Sequence, residues 1–315
     1  MAKTLTNKGT VLVTGASGFV GSYTAQALSS SGYRVRIFDR EVCPFLQDDQ
    51  EMIIGDITDA QQVMDATKGC DYIYHFAGIA DIEEARARPV DTCRINIEGT
   101  LNVLEAAKEH NIKRFVFAST VYVYSDRGAF YRVSKQACEN YIETYQKTYD
   151  VPFTILRYGS LYGRRAGETN GIHRLISSAL ESDEIVYNGD PEAMREYIHV
   201  KDAARLSVEI LNDSYENTHL ILTGNERMRV TDLMRMIAEM LQHKPELKFG
   251  EKTLGAHYTM TPYSYNPKLA QKITAAAHID LGQGLLDCIA EIREEADPQS
   301  QEHAVCDNET STVCG

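Results

Sequence analysis

Between residues 10 and 157, short apolar runs alternate with longer stretches of helical periodicity. That alternation narrows the fold more than any other feature of the chain. The strand-like runs are Thr10–Thr14, Arg34–Phe38, Met52–Ile54, Tyr72–Phe76, Arg114–Ala118 and Phe153–Leu156. They are rich in Val, Ile, Phe and Tyr, and several are continuously apolar, as strands buried on both faces are. Helices between such strands imply a parallel sheet, and right-handed crossovers wind those helices onto both of its faces. The expectation is an α/β protein with a doubly wound sheet.

Beyond Tyr158 the pattern loosens. Residues 159–171 read as a loop with four glycines and the adjacent Arg164 and Arg165. Helices are predicted at 172–181, 201–211, 230–242 and 283–294, and a short strand at 184–187. This gives a first domain over 1–157 and a smaller lobe over 158–294. The polar tail over 295–315 is expected to be disordered.

The first run leads straight into Thr14-Gly15-Ala16-Ser17-Gly18-Phe19-Val20-Gly21. Gly15 permits a tight turn, Gly18 lets the backbone approach a pyrophosphate, and Gly21 lets the next helix sit against the strand. The start of that helix offers free N–H groups and a positive dipole end to phosphate. Glycines also simply make turns, but this turn follows a strand, opens a helix and has a partner. Asp39 ends the second run, 18 residues after Gly21. A carboxylate there accepts hydrogen bonds from both adenosine ribose hydroxyls and repels a 2′-phosphate, which favours NAD over NADP. Arg40 has two readings, a guanidinium for that phosphate or a solvated surface charge. Asp56 either bonds the adenine amino group or caps a helix starting near Asp59.

Tyr131-Arg132-Val133-Ser134-Lys135 opens a helical pattern, and i, i+4 spacing puts the phenol and the ammonium on one face. A free tyrosine, with a pKa of about 10, is a poor base at neutral pH. A nearby lysine and a nicotinamide cation both favour phenolate. A phenolate takes a proton from a substrate hydroxyl while hydride leaves the same carbon. Such a pair occurs by chance in many helices. It gains weight from Ser119-Thr120, directly after the fifth run, whose hydroxyls point into the same cleft or, alternatively, cap a turn.

The formal net charge is -13. Such a balance repels phosphate backbones and anionic lipid, so nucleic acid and membrane are not expected partners. The 7 cysteines are odd in number and show no Cys-x-x-Cys spacing. Reduced thiols are therefore expected, with no disulfide framework and no metal site. No run reaches the roughly 18 apolar residues of a membrane span, and the start of the chain lacks a signal-like apolar stretch, so a cytoplasmic protein is expected. Asn308-Glu309-Thr310 fits a glycosylation sequon that a cytoplasmic chain does not use.

Six motifs stand in order: Thr14-Gly15-x-x-Gly18-x-x-Gly21, His75-Phe76-Ala77-Gly78, Asn96-x-x-Gly99-Thr100, Tyr131-x-x-x-Lys135, Leu156-Arg157-Tyr158-Gly159 and Arg195-Glu196-Tyr197-Ile198-His199-Val200. With them the chain resembles the extended short-chain dehydrogenase/reductase family, in its nucleotide-sugar epimerase/dehydratase branch, over about residues 10–293. The resemblance implies a Rossmann-type doubly wound parallel sheet with a smaller C-terminal α/β substrate lobe, and NAD as cofactor. It also implies a nucleotide-sugar substrate, with a UDP-sugar favoured. Thr120, Tyr131 and Lys135 take the catalytic places. Cofactor contacts are implied for Gly15, Ser17, Gly18, Phe19, Val20, Gly21, Asp39, Arg40, Asp56, Ile57, Phe76, Ala77, Gly78, Asn96, Lys135 and Tyr158. Substrate contacts are implied for Thr120, Tyr122, Ser160, Asn170, Tyr187 and Arg195, with Arg195 clamping the diphosphate. Tyr187 either packs on the nucleotide base or fills the small lobe. A homodimer is implied, pairing helices at 98–109 and 136–149 through Leu101, Leu104, Ala137, Tyr141 and Tyr145. Alternatively, these faces pack on their own sheet.

The chain departs from the family pattern in four places. Only ten residues separate Thr120 from Tyr131, which shortens one cleft wall. Val121-Tyr122 stand where dehydratases carry Asp-Glu and where decarboxylases carry Glu at the second position. Ser160 stands where hexose epimerases often show Asn. No arginine occurs over 255–258. What remains is epimerisation, probed against two alternatives: a net dehydrogenase or reductase on a sugar or small carbonyl, and a non-catalytic NAD-binding sensor.

Overall fold

The computed structural model describes residues 8–225, 227–241, 245–250 and 257–263. Its first half alternates as the sequence predicts: β1 (Thr10–Thr14), α1 (Phe19–Ser30), β2 (Arg34–Asp39), β3 (Gln50–Ile54), α2 (Ala60–Thr67), β4 (Tyr72–His75), α3 (Ile82–Ala87), α4 (Pro89–Thr92), α5 (Gly99–Glu109), β5 (Arg114–Thr120), α6 (Ala129–Tyr149) and β6 (Phe153–Tyr158). Between α4 and α5 a π-helical stretch, Cys93–Glu98, brings the buried Asn96 to the strand ends. The second half adds β7 (Ser160–Tyr162), α7 (Gly171–Ser182), β8 (Glu184–Tyr187), β9 (Met194–His199), α8 (Val200–Glu209), β10 (Thr218–Leu222), β11 (Arg227–Arg229), α9 (Val230–Met240) and β12 (Glu246–Phe249).

The main sheet runs β10-β6-β5-β4-β1-β2-β3, and every pairing in it is parallel. Order reverses between β1 and β4, and open α/β sheets bind ligands at the carboxyl ends beside such a switch. Two cores fill the faces. One holds Phe115, Phe117, Leu104 and Ile142, and the other Val11, Val13, Ile37 and Tyr74. Each fully buried Phe or Ile contributes about 1.5–3 kcal/mol. A third core, with Leu175, Ile185, Leu233 and Met234, holds α7, β8 and α9 together.

The differences from the sequence reading have local causes. β5 runs to Thr120, two residues past its predicted end, because its ladder with β6 continues through Ser119↔Arg157 and Thr120↔Tyr158. β4 stops at His75, and Phe76 begins a loop. β7 lies inside the predicted loop over 159–171; three half-buried residues carry no periodicity to read. β10 was not foreseen, and it returns the chain to the main sheet beside β6. The predicted helix at 283–294, the tail over 295–315 and the Asn308 sequon lie outside the described residues, as does Gln242. Among the described residues no helix is long and apolar enough to cross a membrane, and no cluster of metal-ligating side chains occurs.

Candidate active site

The turn after β1 is shaped by missing side chains. Gly15 has φ +74°, and a Cβ there would lie 2.4 Å from the Ala77 amide nitrogen. A Cβ on Gly21 would lie 2.4 Å from the Gly15 carbonyl oxygen, so α1 sits directly against the turn. α1 begins at Gly18 with no side chain capping its first N–H groups and no acidic residue in its first turn. Those donors are open to an anion. An added Cβ on Gly18 would meet nothing closer than the Gly15 carbonyl at 3.3 Å, which leaves room for a pyrophosphate.

A cavity of about 560 Å³ runs from this turn to the end of β5. It collects the predicted Gly15, Ser17, Gly18, Phe19, Val20, Gly21, Asp39, Arg40, Asp56, Ile57, Phe76, Ala77, Gly78 and Tyr158, and it reaches Thr120, Tyr131, Lys135 and Asn170. The Asp39 carboxylate accepts the Ser17 N–H at 2.9 Å and the Arg40 N–H at 2.8 Å, which ties β2 to the glycine turn. Asp56 does not cap α2. Asp59 does, accepting from Gln61 and Gln62, while Asp56 closes a turn with Thr58 at 2.9 Å. Desolvation acts to raise the Asp56 carboxyl, but the Thr58 bonds and the charges of Arg40 and Arg94 outweigh it and hold it below the usual range. Asn96 is outside the cavity wall and acts from behind it. It accepts the Ile79 N–H at 2.7 Å and donates to the Ile79 carbonyl at 2.9 Å, fixing the loop after β4.

His75 joins that support. Its Nδ1 shares a 2.6 Å hydrogen bond with the Thr14 hydroxyl and its Nε2 a 3.0 Å one with Thr100. Burial, helped by Lys135, pushes its pKa down to about 3, so it stays neutral.

Tyr131, in the first turn of α6, stands with Thr120 in the cavity wall, and the polar Thr120 side chain acts to lower the phenol's pKa. One turn on, the Lys135 ammonium donates to the Ala118 carbonyl at 2.8 Å and lies 6.0 Å from the Tyr131 ring centre. Burial pushes the Tyr131 phenol up to about 12, against the opposing influence of the polar Thr120 side chain. Lys135 alone therefore does not make it a phenolate, and the further stabilisation must come from charge brought by a ligand.

Tyr122, Ser160, Tyr187 and Arg195 do not line the cavity. Tyr122, Ser160 and Arg195 gather around Tyr258, which the sequence reading missed, while Tyr187 packs against the third core. The Tyr122 ring is tilted against the Tyr258 ring at 4.7 Å, the Arg195 guanidinium lies 4.4 Å over the Tyr258 ring, and Ser160 reaches the Tyr258 hydroxyl at 3.5 Å. The Tyr122 hydroxyl and His257 Nδ1 are 2.6 Å apart. Arg195 is 7% exposed and donates only to the Met194 carbonyl, at 3.0 Å, among its described bonds. Asn170 caps α7 through Ile172 and His173. The Tyr158 hydroxyl turns away to Ser207 at 2.6 Å, so this residue offers the cavity its ring. No local pattern marks His257 and Tyr258; only the fold brings them to Tyr122.

Residues 11–222 match the sequence model of the NAD dependent epimerase/dehydratase family. The chain is 27% identical over 296 residues to a putative UDP-glucose 4-epimerase of Methanocaldococcus jannaschii, covering 87% of this chain and 95% of that one. It is 28% identical over 310 residues to a dTDP-glucose 4,6-dehydratase of Mycolicibacterium smegmatis, covering 89% and 92%. The UDP-N-acetylglucosamine 4-epimerase from Methanobrevibacter ruminantium superposes with a TM-score of 0.75 at 25% identity, over 82% of this chain and 90% of that one. A Bacillus cereus UDP-glucuronic acid 4-epimerase, solved with UDP-glucuronic acid and NAD, superposes with a TM-score of 0.74 at 25% identity, over 83% and 95%. Glycine turn, strand order and the Tyr131–Lys135 face thus agree with a sequence match over most of the chain, which belongs to the NAD dependent epimerase/dehydratase family.

Proposed function

We propose that this chain is an NAD-dependent nucleotide-sugar epimerase that inverts C4 of a UDP-hexose or UDP-hexuronate through a 4-keto intermediate. The observation that carries the reading is the convergence of Thr120, Tyr131 and Lys135 on one end of the cavity, with Lys135 held on the Ala118 carbonyl. Bound NAD supplies a transient acceptor and donor of hydride. Tyr131 takes the proton of the 4-hydroxyl as C4 is oxidised and returns it when C4 is reduced from the opposite face. Thr120 aligns that hydroxyl, and Lys135 holds positive charge beside the phenol. Arg195 takes the diphosphate, with Tyr122, Ser160, Asn170 and Tyr187 around the rest of the substrate. Asp39 takes the adenosine ribose. With Val121-Tyr122 after Thr120 there is no carboxylate pair for elimination, which favours epimerisation over dehydration. The 4-epimerases among the similar proteins support the same choice.

Residues 1–157 are assigned to NAD and 158–294 to the substrate, with β10 lent back to the first sheet. The buried free thiols Cys43, Cys70 and Cys138 suit a reducing compartment, the cytoplasm. A homodimer is part of the reading, with a corrected face. Leu104 is fully buried in its own core, whereas Phe130, Val133, Tyr141 and Tyr149 are 43–51% exposed along one stripe of α6. Sedimentation at micromolar concentration should give a dimer, and a monomer there refutes the pairing.

The deciding assay supplies NAD-loaded protein with UDP-glucose, UDP-galactose and their uronates, and follows both the C4 epimer and NADH absorbance. Epimer without accumulating NADH is expected. Stoichiometric NADH with a released oxidised sugar would make it a net dehydrogenase, and NAD binding without turnover of any sugar would make it a sensor.

A further inference from the structure

We infer that Glu139, gripped by Arg157, is a positioning residue that sets α6 in register with the end of β5, so that Tyr131 meets Thr120 and Lys135 meets the Ala118 carbonyl. Three successive residues of β5 face three residues spaced a turn apart on α6, and two of the three pairs are hydrogen-bonded. Thr120 stands with Tyr131 in the cavity wall, the Ala118 carbonyl accepts from Lys135 at 2.8 Å, and the Ser119 hydroxyl donates to Glu139 Oε1 at 2.5 Å. Positions i, i+4 and i+8 share one helical face, so the third rung fixes the first two.

The third rung is anchored from a second strand. Arg157 stands directly opposite Ser119 in the β5–β6 ladder. Its Nε donates to Glu139 Oε1 at 3.0 Å and its Nη2 to Oε2 at 2.6 Å, a two-point grip that fixes the carboxylate in plane. Arg157 also bonds the Tyr124 hydroxyl and stacks 4.7 Å over that ring, which ties in the segment after Thr120. Ser119, Glu139 and Arg157 are 3%, 3% and 6% exposed. Burying an ion pair carries a desolvation cost that an apolar pair avoids. What the pair adds over apolar packing is direction: greasy side chains slide, and a two-point grip does not. The rate at Tyr131 depends on that placement, since a misplacement of about 1 Å costs roughly a hundredfold.

The pair also sets charge. The titratable and charged groups around Lys135 are Tyr131, Cys138 and Glu139 on its own helix, His75 from β4 and, behind Glu139, Arg157 from β6. Burial lowers the proton affinity of Lys135, and Cys138 and Glu139 oppose it.

The inference rests on Tyr131 and Lys135 acting as proposed, and its test includes a readout that needs no sugar. NAD affinity is measured from pH 6 to 10 by fluorescence for wild type, Glu139→Gln and Ser119→Ala, and kcat and KM on whichever UDP-sugar the wild type turns over. Glu139→Gln should move the alkaline loss of NAD affinity to lower pH, because Lys135 gives up its proton sooner without the carboxylate. It should also lower kcat by about tenfold to a hundredfold, with KM within about twofold. Ser119→Ala keeps the ion pair and the fold, so it should lower kcat several-fold and leave the NAD–pH curve in place. An unmoved NAD–pH curve in folded Glu139→Gln overturns the inference. If that variant does not fold, wild-type kcat in Ser119→Ala overturns it. A wild type inactive on every sugar would instead sink the epimerase proposal, while the NAD–pH comparison still decides this one.

Discussion

The wall that receives the dinucleotide is shaped by backbone, while the wall across from Tyr131 is shaped by side chains. The first is built from short loops after β1, β2 and β4, and its critical positions are those without a Cβ, such as Gly15 and Gly21. The second draws Tyr122, Ser160, Arg195, His257 and Tyr258 from separate segments, and they touch through rings, a guanidinium and hydroxyls. A backbone wall admits one shape and is intolerant of change. A side-chain wall can be altered while the fold is kept, so the proposed function assigns choice of sugar to it and cofactor binding to the backbone wall.

The largest effect tests the backbone wall. Gly15→Ala puts a Cβ 2.4 Å from the Ala77 nitrogen, with no flexible side chain to give way, at a φ of +74°. Strain of a few kcal/mol corresponds to a loss of about a hundredfold or more in NAD affinity. Calorimetric titration should show that loss together with a lower Tm and no turnover. Wild-type NAD affinity would break the contrast. Tyr131→Phe lies where the walls meet. It removes one hydroxyl from a buried site, so NAD affinity and Tm should hold while kcat falls about 10²–10⁴-fold. Undiminished turnover in steady-state assays would remove Tyr131 as the acid–base group. Arg195→Ala should have the smallest effect. Losing a charged hydrogen-bonding partner for the diphosphate should raise KM for the nucleotide sugar by roughly 10–100-fold. Unchanged NAD affinity in the same variant would sharpen the division, whereas a parallel loss of both would erase it.

The division also separates what could be read from the chain from what could not. The glycine turn, Asp39 and the Tyr131–Lys135 spacing are local, and each needs only a strand or a helix to acquire its meaning. The cavity accordingly gathers nearly all the residues expected to hold NAD. The assignment of Asp56 or Asp59 as cap turned on a shift of three residues that periodicity does not resolve. Tyr258 and His257 became visible only through contacts with Tyr122, about 135 residues away. Glu139 sat in plain view four residues after Lys135, but its meaning came from Arg157, which the β5–β6 register sets opposite Ser119.

The return of β10 to the main sheet has a consequence for how the protein is made. β10 pairs with β6, yet it is synthesised about 60 residues after it, with β7, α7, β8, β9 and α8 in between. At about 5–20 residues per second, β6 leaves the ribosome with its outer edge unpaired for about 3–12 s. That edge, Phe153–Tyr158, is buried at every position in the finished fold. A nascent chain stalled in that interval displays an apolar strand edge, the kind of surface that recruits other strands. Slow synthesis between Tyr158 and β10 therefore favours aggregation.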